Sequence, residues 1–226
     1  MATTLLELAG VWAARGRTVA LRDVSLSVPR GARLGVFGPG GSGKTTLLKL
    51  LAGLYHPSRG ELRWSPPPPP GGLGMVFQRD ALLDSLSALE NVALPLAGRP
   101  RAEIVAREAL ARVGLGEDAG AKRPIELSGG MRKRTGLARV LAANPPVKLF
   151  DEPTAGLDPA TEREILDVLD RAHDASGLTV TASANPEPFF PRCDLALVLS
   201  AGEPIAFGEA AEVARRGDVR RLFGAE

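Results

Sequence analysis

Gly38-Pro39-Gly40-Gly41-Ser42-Gly43-Lys44-Thr45 is the stretch on which the fold turns. It satisfies the pattern GxxxxGK(S/T), and it stands between a short apolar run, Leu34 to Phe37, and a helical pattern of Leu47, Leu48, Leu50 and Leu51 closed by Gly53. Strand, glycine turn and helix in that order make a phosphate cradle. Glycines let backbone amides turn inward onto phosphate oxygens, and a helix beginning near Gly43 adds the positive end of its dipole. Lys44 then reaches the β- and γ-phosphates and the Thr45 hydroxyl ligates Mg²⁺. A glycine-rich turn with an incidental lysine would not need the strand before it and the helix after it.

Upstream, Leu5 to Val11 and Val24 to Val28 alternate apolar and polar residues, and Pro29-Arg30-Gly31 makes a turn, which predicts an N-terminal antiparallel pair. Downstream, residues 65–72 contain five consecutive prolines, read as a solvated extended spacer. Gly74 to Phe77 reads as a strand. Residues 79 to about 126 are rich in helix formers and carry no strand run, and a helix follows Ser128 to about Ala143, stopping at Asn144-Pro145. Val147 to Phe150, Leu178 to Ala182 and Leu195 to Leu199 are further strands. Between the first two of these, Asp158-Pro159 opens a helix whose apolar face is Ile165, Leu166, Val168, Leu169 and Ala172, ended by Ser176-Gly177. Strands separated by helices imply an α/β fold with a mostly parallel sheet and ligands at the carboxyl ends of its strands. The expected organisation is a single domain over 1–226, with its core in 1–78 and 141–226 and an inserted helical subdomain at about 79–140.

Composition agrees with a folded chain of this kind. The 226 residues are 44% hydrophobic and 24% charged, which excludes disordered, collagen-like and coiled-coil classes. Lys+Arg 28 against Asp+Glu 26 leaves +2, too even a balance to announce a nucleic-acid partner. The single cysteine, Cys193, excludes an internal disulfide and a four-thiolate metal site, so a reducing compartment is the simplest reading. The chain opens without a secretory pattern, and no stretch reaches the ~18 apolar residues of a membrane span. A cytoplasmic location is expected, peripheral to a membrane partner if one exists.

Two further clusters suit a nucleotide. Asp151-Glu152 follows Val147 to Phe150, so two carboxylates sit at a strand's carboxyl end, beside the phosphate loop if the strands are neighbours. Asp151 is suited to hold the Mg²⁺ water shell and Glu152 to orient and deprotonate the attacking water. Leu127-Ser128-Gly129-Gly130-Met131 supplies a hydroxyl, two glycines and a fresh helix N-terminus, a second anion-binding device or simply a capped helix.

The phosphate loop, a lone Gln78 at a strand end, LSGGM, an apolar strand ending in DEP, and Ala155-Gly156-Leu157-Asp158 occur in an order that resembles the nucleotide-binding domain of ABC transporters. The likeness covers nearly the whole chain. It implies a P-loop NTPase fold with a RecA-like core, the cofactors ATP and Mg²⁺, and ATPase activity in the service of a transmembrane permease subunit. It also implies head-to-tail association, as homodimer or heterodimer, with each nucleotide between one copy's phosphate loop and the other's LSGGM segment. Carried over, Gly38, Gly40, Gly41, Ser42, Gly43, Lys44, Thr45 and Thr46 hold the phosphates. Ser128, Gly129 and Gly130 contact the γ-phosphate of ATP across the interface, Gln78 approaches Mg²⁺ and the water, and Asp158 joins the facing subunits.

Three departures from that family stand out. Arg15 takes the place of the aromatic residue that stacks on adenine, with its guanidinium plane or nearby Trp12 as the substitute. Ala184 falls where the family carries a histidine on the γ-phosphate, and neither His56, in a turn, nor His173, expected on a surface helix, is a ready replacement. That gap supports an alternative: an ATP-binding regulatory or structural subunit with little hydrolysis. Lys148 interrupts an apolar strand, and its ammonium is expected to snorkel to water. Finally, Phe77 to Leu86, Glu90 to Leu96, Arg15 and the tail Asp218 to Gly224 are similar to the Mla/Mce-type lipid transport ATPases, which puts Ala81 to Leu83 in a groove for a permease helix or in plain packing of the helical subdomain. An ABC protein acting on DNA or ribosomes would need paired nucleotide domains or long arms that 226 residues do not provide.

Overall fold

A computed structural model describes residues 3–16, 18–78 and 81–224. The chain forms two compact units: one takes the residues up to Leu73, Pro146–Glu152 and those from His173 on, the other Gly74–Pro145 and Pro153–Ala172. The second unit holds the described part of the stretch expected as a helical insertion, together with residues 74–78, 141–145 and 153–172.

In the first unit, strand β1 (Thr4–Arg15) and β2 (Thr18–Pro29) form an antiparallel hairpin longer than the alternation alone suggested. Register shifts between Leu8 and Val11 and again between Val11 and Ala14 break the strict period of two, which hid the outer half of the hairpin. Strand β3 (Arg33–Phe37) leads through the glycine turn into helix α1 (Lys44–Leu51), whose Leu47, Leu48, Leu50 and Leu51 are buried. Strand β4 (Arg59–Trp64) pairs with the free edge of β1, giving the order β2-β1-β4. Sequence pattern missed it because Arg59, Glu61 and Arg63 are exposed and only Leu62 and Trp64 are half-buried. The proline run follows, four of its five prolines exposed, and β5 (Leu73–Val76) takes the chain into the second unit.

That unit is helical. Helix α2 (Ala88–Ala93) starts at a capping box in which the Ser87 hydroxyl accepts from Glu90 N and the Glu90 carboxylate accepts from Ser87 N. Helices α3 (Ala102–Arg112) and α4 (Glu117–Ala121) precede the long α5 (Gly129–Ala143), and α2, α3 and α5 bury Val92, Ala106, Leu110, Leu137 and Leu141 together. Asn144 ends α5 in the left-handed region at φ 44, a conformation asparagine tolerates better than most residues. Strand β6 (Val147–Asp151) belongs to the first unit, and helix α6 (Pro159–Ala172) to the second.

Strands β7 (Leu178–Ser183), β8 (Leu195–Ser200) and β9 (Glu203–Glu209) complete the core sheet of the first unit, ordered β6-β7-β3-β8-β9. All neighbours are parallel except β8 and β9. Two short helices, α7 (Ala210–Arg215) and α8 (Gly217–Leu222), end the chain as described. Neither β9 nor these helices showed in the sequence, because each carries only a short apolar run, such as Ile205 to Phe207 or Ala210-Ala211, between glycines and charges. Within the described residues no helix is long and apolar enough to cross a membrane.

Two expectations are corrected here. Lys148 is more deeply buried than that expectation implies: the residue as a whole is 1% exposed on β6. Burial holds its ammonium below the usual lysine range, with Asp174 pulling partly back. His173 does not lie on a surface helix either. It follows α6 half-buried, with Nδ1 3.1 Å from the Thr179 hydroxyl and Nε2 3.1 Å from the Gly31 carbonyl.

Candidate functional site

The turn between β3 and α1 has the geometry of an anion cradle. Gly43 caps α1 at φ 105, and a Cβ there would stand 2.6 Å from the Ala20 carbonyl, so only glycine fits. Gly41 sits at φ 78 with nothing within 4 Å of a would-be Cβ, as at Gly40, so both glycines border open space. Gly38 is buried against Leu199 O, and the buried Ser42 hydroxyl has no hydrogen-bond partner among the described residues. Lys44, 6% exposed, folds its ammonium over the turn, donating to Gly38 O at 2.6 Å and Pro39 O at 3.1 Å. Thr45 and Thr46 are half-buried on the first turn of the helix.

The two carboxylates reach the same place by an unexpected route. Strand β6 is not the neighbour of β3, because β7 lies between them, with Asp151 level with Ala182 and Ala182 level with Val36. Glu152 nevertheless meets the phosphate loop, its Oε1 3.4 Å from Lys44 Nζ. It does so from a backbone at φ 51, an uncommon conformation for a residue with a side chain, held by a bond from Glu152 N to Ala182 O at 2.9 Å. Nothing in the sequence announced that strained turn.

Asp151 is 1% exposed and neither carboxylate oxygen has a hydrogen-bond partner among the described residues. Burial pushes its carboxyl above the usual aspartate range, opposed by the Thr45 hydroxyl and by Lys44 and Lys49, while Glu152 adds to the rise. A buried, unpartnered carboxylate near a threonine hydroxyl is a donor set of hard oxygens, which fits a divalent cation such as Mg²⁺.

Ala184 follows β7 exposed, and the turn there is set by Ser183, whose hydroxyl donates to Asn185 O and accepts from Asn185 N. Trp12, half-buried, carries the Arg59 guanidinium 5.7 Å from its ring centre, so that face already holds a cation. Arg15 ends β1, and its side chain lies outside the described residues.

The remaining candidates are in the second unit. Gln78 is exposed after β5. Ser128 caps α5, its hydroxyl accepting from Met131 N at 3.2 Å, and Ser128 and Gly129 are exposed with Gly130 half-buried. The capping hydroxyl still has its proton to donate. Asp158 accepts from Ala160 N, Thr161 N and the Thr161 hydroxyl, bonds that hold its carboxyl below the usual range. Sequence reasoning also missed Lys133, whose ammonium donates to Ala155 O at 2.6 Å. A side chain aimed at a backbone carbonyl leaves no pattern to find.

The helices of the second unit also form a groove of about 940 Å³, lined by Leu89, Ala93, Arg107, Leu110, Ala111 and Glu117. It lies on α2, α3 and α4, and Leu83, 47% exposed, is not among the residues that line it. The backbone of Leu83 is instead tied down by Asn91, whose amide bonds Leu83 N and Leu83 O.

Residues 21–155 match the sequence profile of the family described as ABC transporter. The chain is 42% identical to the methionine import ATP-binding protein MetN of Thermobifida fusca, over 93% of this chain and 70% of that protein. Against MetN of Caulobacter vibrioides it is 43% identical, over 88% of this chain and 65% of that protein. The chain therefore spans about two thirds of the length of these curated relatives. Among solved structures it resembles a dimeric ATP-binding cassette in a post-hydrolysis state bound to ADP and Pi, with a TM-score of 0.81 and 29% identity over 91% of this chain and 99% of that one. It also resembles a Clostridium perfringens cassette that is part of the ABC transporter complex cbiONQ, with a TM-score of 0.77 and 28% identity over 97% of this chain and 94% of that one. These curated relatives are named for methionine import, so the lipid-transport branch expected from residues 77–96 is not supported. In that stretch Ser87 and Glu90 form a helix cap and Asn91 pins a loop, structural duties that do not depend on cargo.

Proposed function

Because the chain belongs to the ABC transporter family of ATP-binding domains, we propose that it is the ATP-hydrolysing subunit of a membrane importer whose cargo is methionine or a close analogue. The observation that carries the ATPase reading is the meeting of Lys44, Glu152 and the open glycine turn, with Asp151 buried beside them. The cargo reading is supported by the similarity to the two MetN proteins and by nothing in the site itself.

The chemistry follows from positions and charges. The backbone N–H groups of Gly40 to Lys44 and of the start of α1 receive the phosphate oxygens, and Lys44 exchanges its carbonyl partners for the β- and γ-phosphates. Bound Mg²⁺, held by Thr45 and Asp151 with Gln78 approaching, would supply neutralisation of the phosphate charge. Glu152 orients the attacking water and takes its proton once Lys44 has turned to phosphate. We assign Ser128, Gly129 and Gly130 to the γ-phosphate of the nucleotide on a second copy, and Asp158 to the face between copies. ATP then holds two copies together and hydrolysis releases them, which changes the state of a permease bound to both.

The apolar floor and charged rim of the groove on α2, α3 and α4 suit an amphipathic helix of that permease, on the cytoplasmic side of the membrane. Changing the exposed Ala111 at its edge to Arg should break co-purification with the permease and leave the ATPase rate in solution unchanged.

Ala184 favours a second reading, a nucleotide-responsive subunit that hardly turns over. Steady-state phosphate release by the purified protein and its Glu152→Gln variant decides between them: a parent rate well above the variant supports the ATPase, and equal low rates with tight ATP binding support the regulator. Methionine uptake by vesicles carrying the co-purified permease tests the cargo.

A further inference from the structure

We propose that Lys133 is a positioning residue that couples two nucleotide sites, by tying the Ser128–Gly130 segment to the Ala155–Asp158 loop of the same chain. The proposal rests on the ATPase reading above and extends it to how one site informs the other.

Lys133 lies on α5, five residues beyond Ser128 and on the same rigid helix. Its ammonium donates to Ala155 O at 2.6 Å, a charge-assisted bond to the exposed tip of a turn. A second contact runs alongside: a Cβ on Gly130 would stand 3.4 Å from Leu157 Cδ2, so the Gly130 backbone already packs against that side chain. The loop is further shaped by Leu157 N bonding Thr154 O at 3.1 Å and by Asp158 capping α6. It is thus fastened at its far end to α6 and in its middle to α5.

At its near end the loop is joined to Glu152 through Pro153 and Thr154. Three peptide bonds separate Ala155 from the residue that activates water, and displacement of the loop is proposed to travel along them. In a head-to-tail pair, Ser128 serves the nucleotide held by the other copy, whereas Glu152 serves the copy's own. The Lys133 bond connects these two duties within one chain. Capture of a γ-phosphate by Ser128 then biases the Glu152 turn, and ATP dependence becomes cooperative.

The test compares the full-length parent with Lys133→Ala and Lys133→Arg. Two readouts are taken: phosphate release as a function of ATP concentration, and amide hydrogen exchange over residues 154–158 without nucleotide. The Ala variant should exchange those amides roughly tenfold faster, as expected for losing a charge-assisted bond. It should also lower the maximal rate by about tenfold and bring the Hill coefficient from above one to one, with the half-saturating ATP concentration moved less than threefold. Arg, which keeps a charged donor, should restore all three. Unchanged exchange in the Ala variant, an unchanged Hill coefficient, a parent that is not cooperative, or failure of Arg to restore would each overturn the proposal. A parent with no phosphate release overturns the ATPase reading and the coupling with it. That outcome is told apart by the exchange readout, which does not depend on turnover.

Discussion

The ammonium of Lys44 stands 3.4 Å from Oε1 of Glu152 while it donates to the carbonyls of Gly38 and Pro39. One cation thus ties the turn after β3 to the turn after β6, across the intervening strand β7. The two side chains are only 7% and 12% exposed, so the pair is little screened by solvent and salt. Phosphate oxygens are better partners for an ammonium than carbonyls are. Binding of a triphosphate and loosening of the Lys44–Glu152 pair therefore belong to one exchange of partners.

Glu152→Gln separates the two halves of that exchange. The amide keeps the shape and removes the proton acceptor, so phosphate release should fall by about 10²- to 10⁴-fold, the usual contribution of a general base. Nucleotide affinity should hold or rise, since Lys44 no longer leaves a carboxylate to meet phosphate. Titration with a fluorescent ATP analogue and a phosphate-release assay on the same preparation check both. A variant that hydrolyses at the parent rate would remove Glu152 from the reaction.

Asp151→Asn should stabilise the protein when metal is chelated and destabilise it relative to the parent when Mg²⁺ and ATP are present. In the fold the Asp151 carboxyl is held above its ordinary value by burial, so the folded state binds a proton that the unfolded chain releases. The buried charge therefore subtracts stability above the unfolded aspartate range, increasingly so up to the raised folded value. In chelator the gap between Asn variant and parent should be widest near neutral pH and close as pH falls towards the unfolded aspartate range. Melting curves across that range read it, at about 2–4 °C for each kcal/mol in a chain of this size.

Much of this architecture was legible because its signals are local. GxxxxGK(S/T) between Phe37 and Leu47 fixed strand, turn and helix at once, and Asn144-Pro145 and Asp158-Pro159 fixed helix ends to within a residue or so. What was illegible depends on other parts of the chain. The order of β6, β7 and β3 is set by crossovers that periodicity does not encode, so whether β6 and β3 are neighbours had to stay open. The left-handed Glu152, the bond from Lys133 to a carbonyl and the burial of Lys148 are decided by partners distant in sequence. Strand β9 is read only once β8 offers it an edge.

Lys148 is a buried charge placed among Val147, Leu149 and Phe150, and Lys148→Met tests what it does for stability. Methionine has similar length and no charge to desolvate, and such replacements are often neutral or stabilising by ~1–4 kcal/mol. The folded lysine titrates below its ordinary value, so the unfolded chain binds more protons in the window between the lowered value and the unfolded lysine range. Stability of the parent should rise with pH through that window. The advantage of the Met variant should accordingly be full at neutral pH and shrink at alkaline pH, read from urea midpoints. A Met variant less stable than the parent at pH 7 would mean that the Asp174 attraction outweighs desolvation.

His173 should make the same fold acid-sensitive from the other side of neutrality. Its Nε2 faces the Gly31 carbonyl, which can only accept, so Nε2 carries the proton and Nδ1 accepts from the Thr179 hydroxyl. A second proton would turn Nδ1 into a donor and place a cation near Arg33 and Lys148, which outweigh the attraction of Asp194 and Asp174. Burial first and Arg33 next hold the imidazole below its ordinary value. With the folded value lowered, the unfolded chain takes up the proton first. Stability is then whole above the unfolded histidine range and is lost as pH falls through it, until the folded value is passed. These bonds join His173 to the start of β7 and to the turn before β3, so their loss loosens the point where the chain re-enters the core sheet. His173→Gln keeps a donor and an acceptor without the titration. The urea midpoint of the parent should decline between pH 7 and 5 while that of the Gln variant stays flatter, and parallel curves for the two would assign the acid sensitivity to other groups.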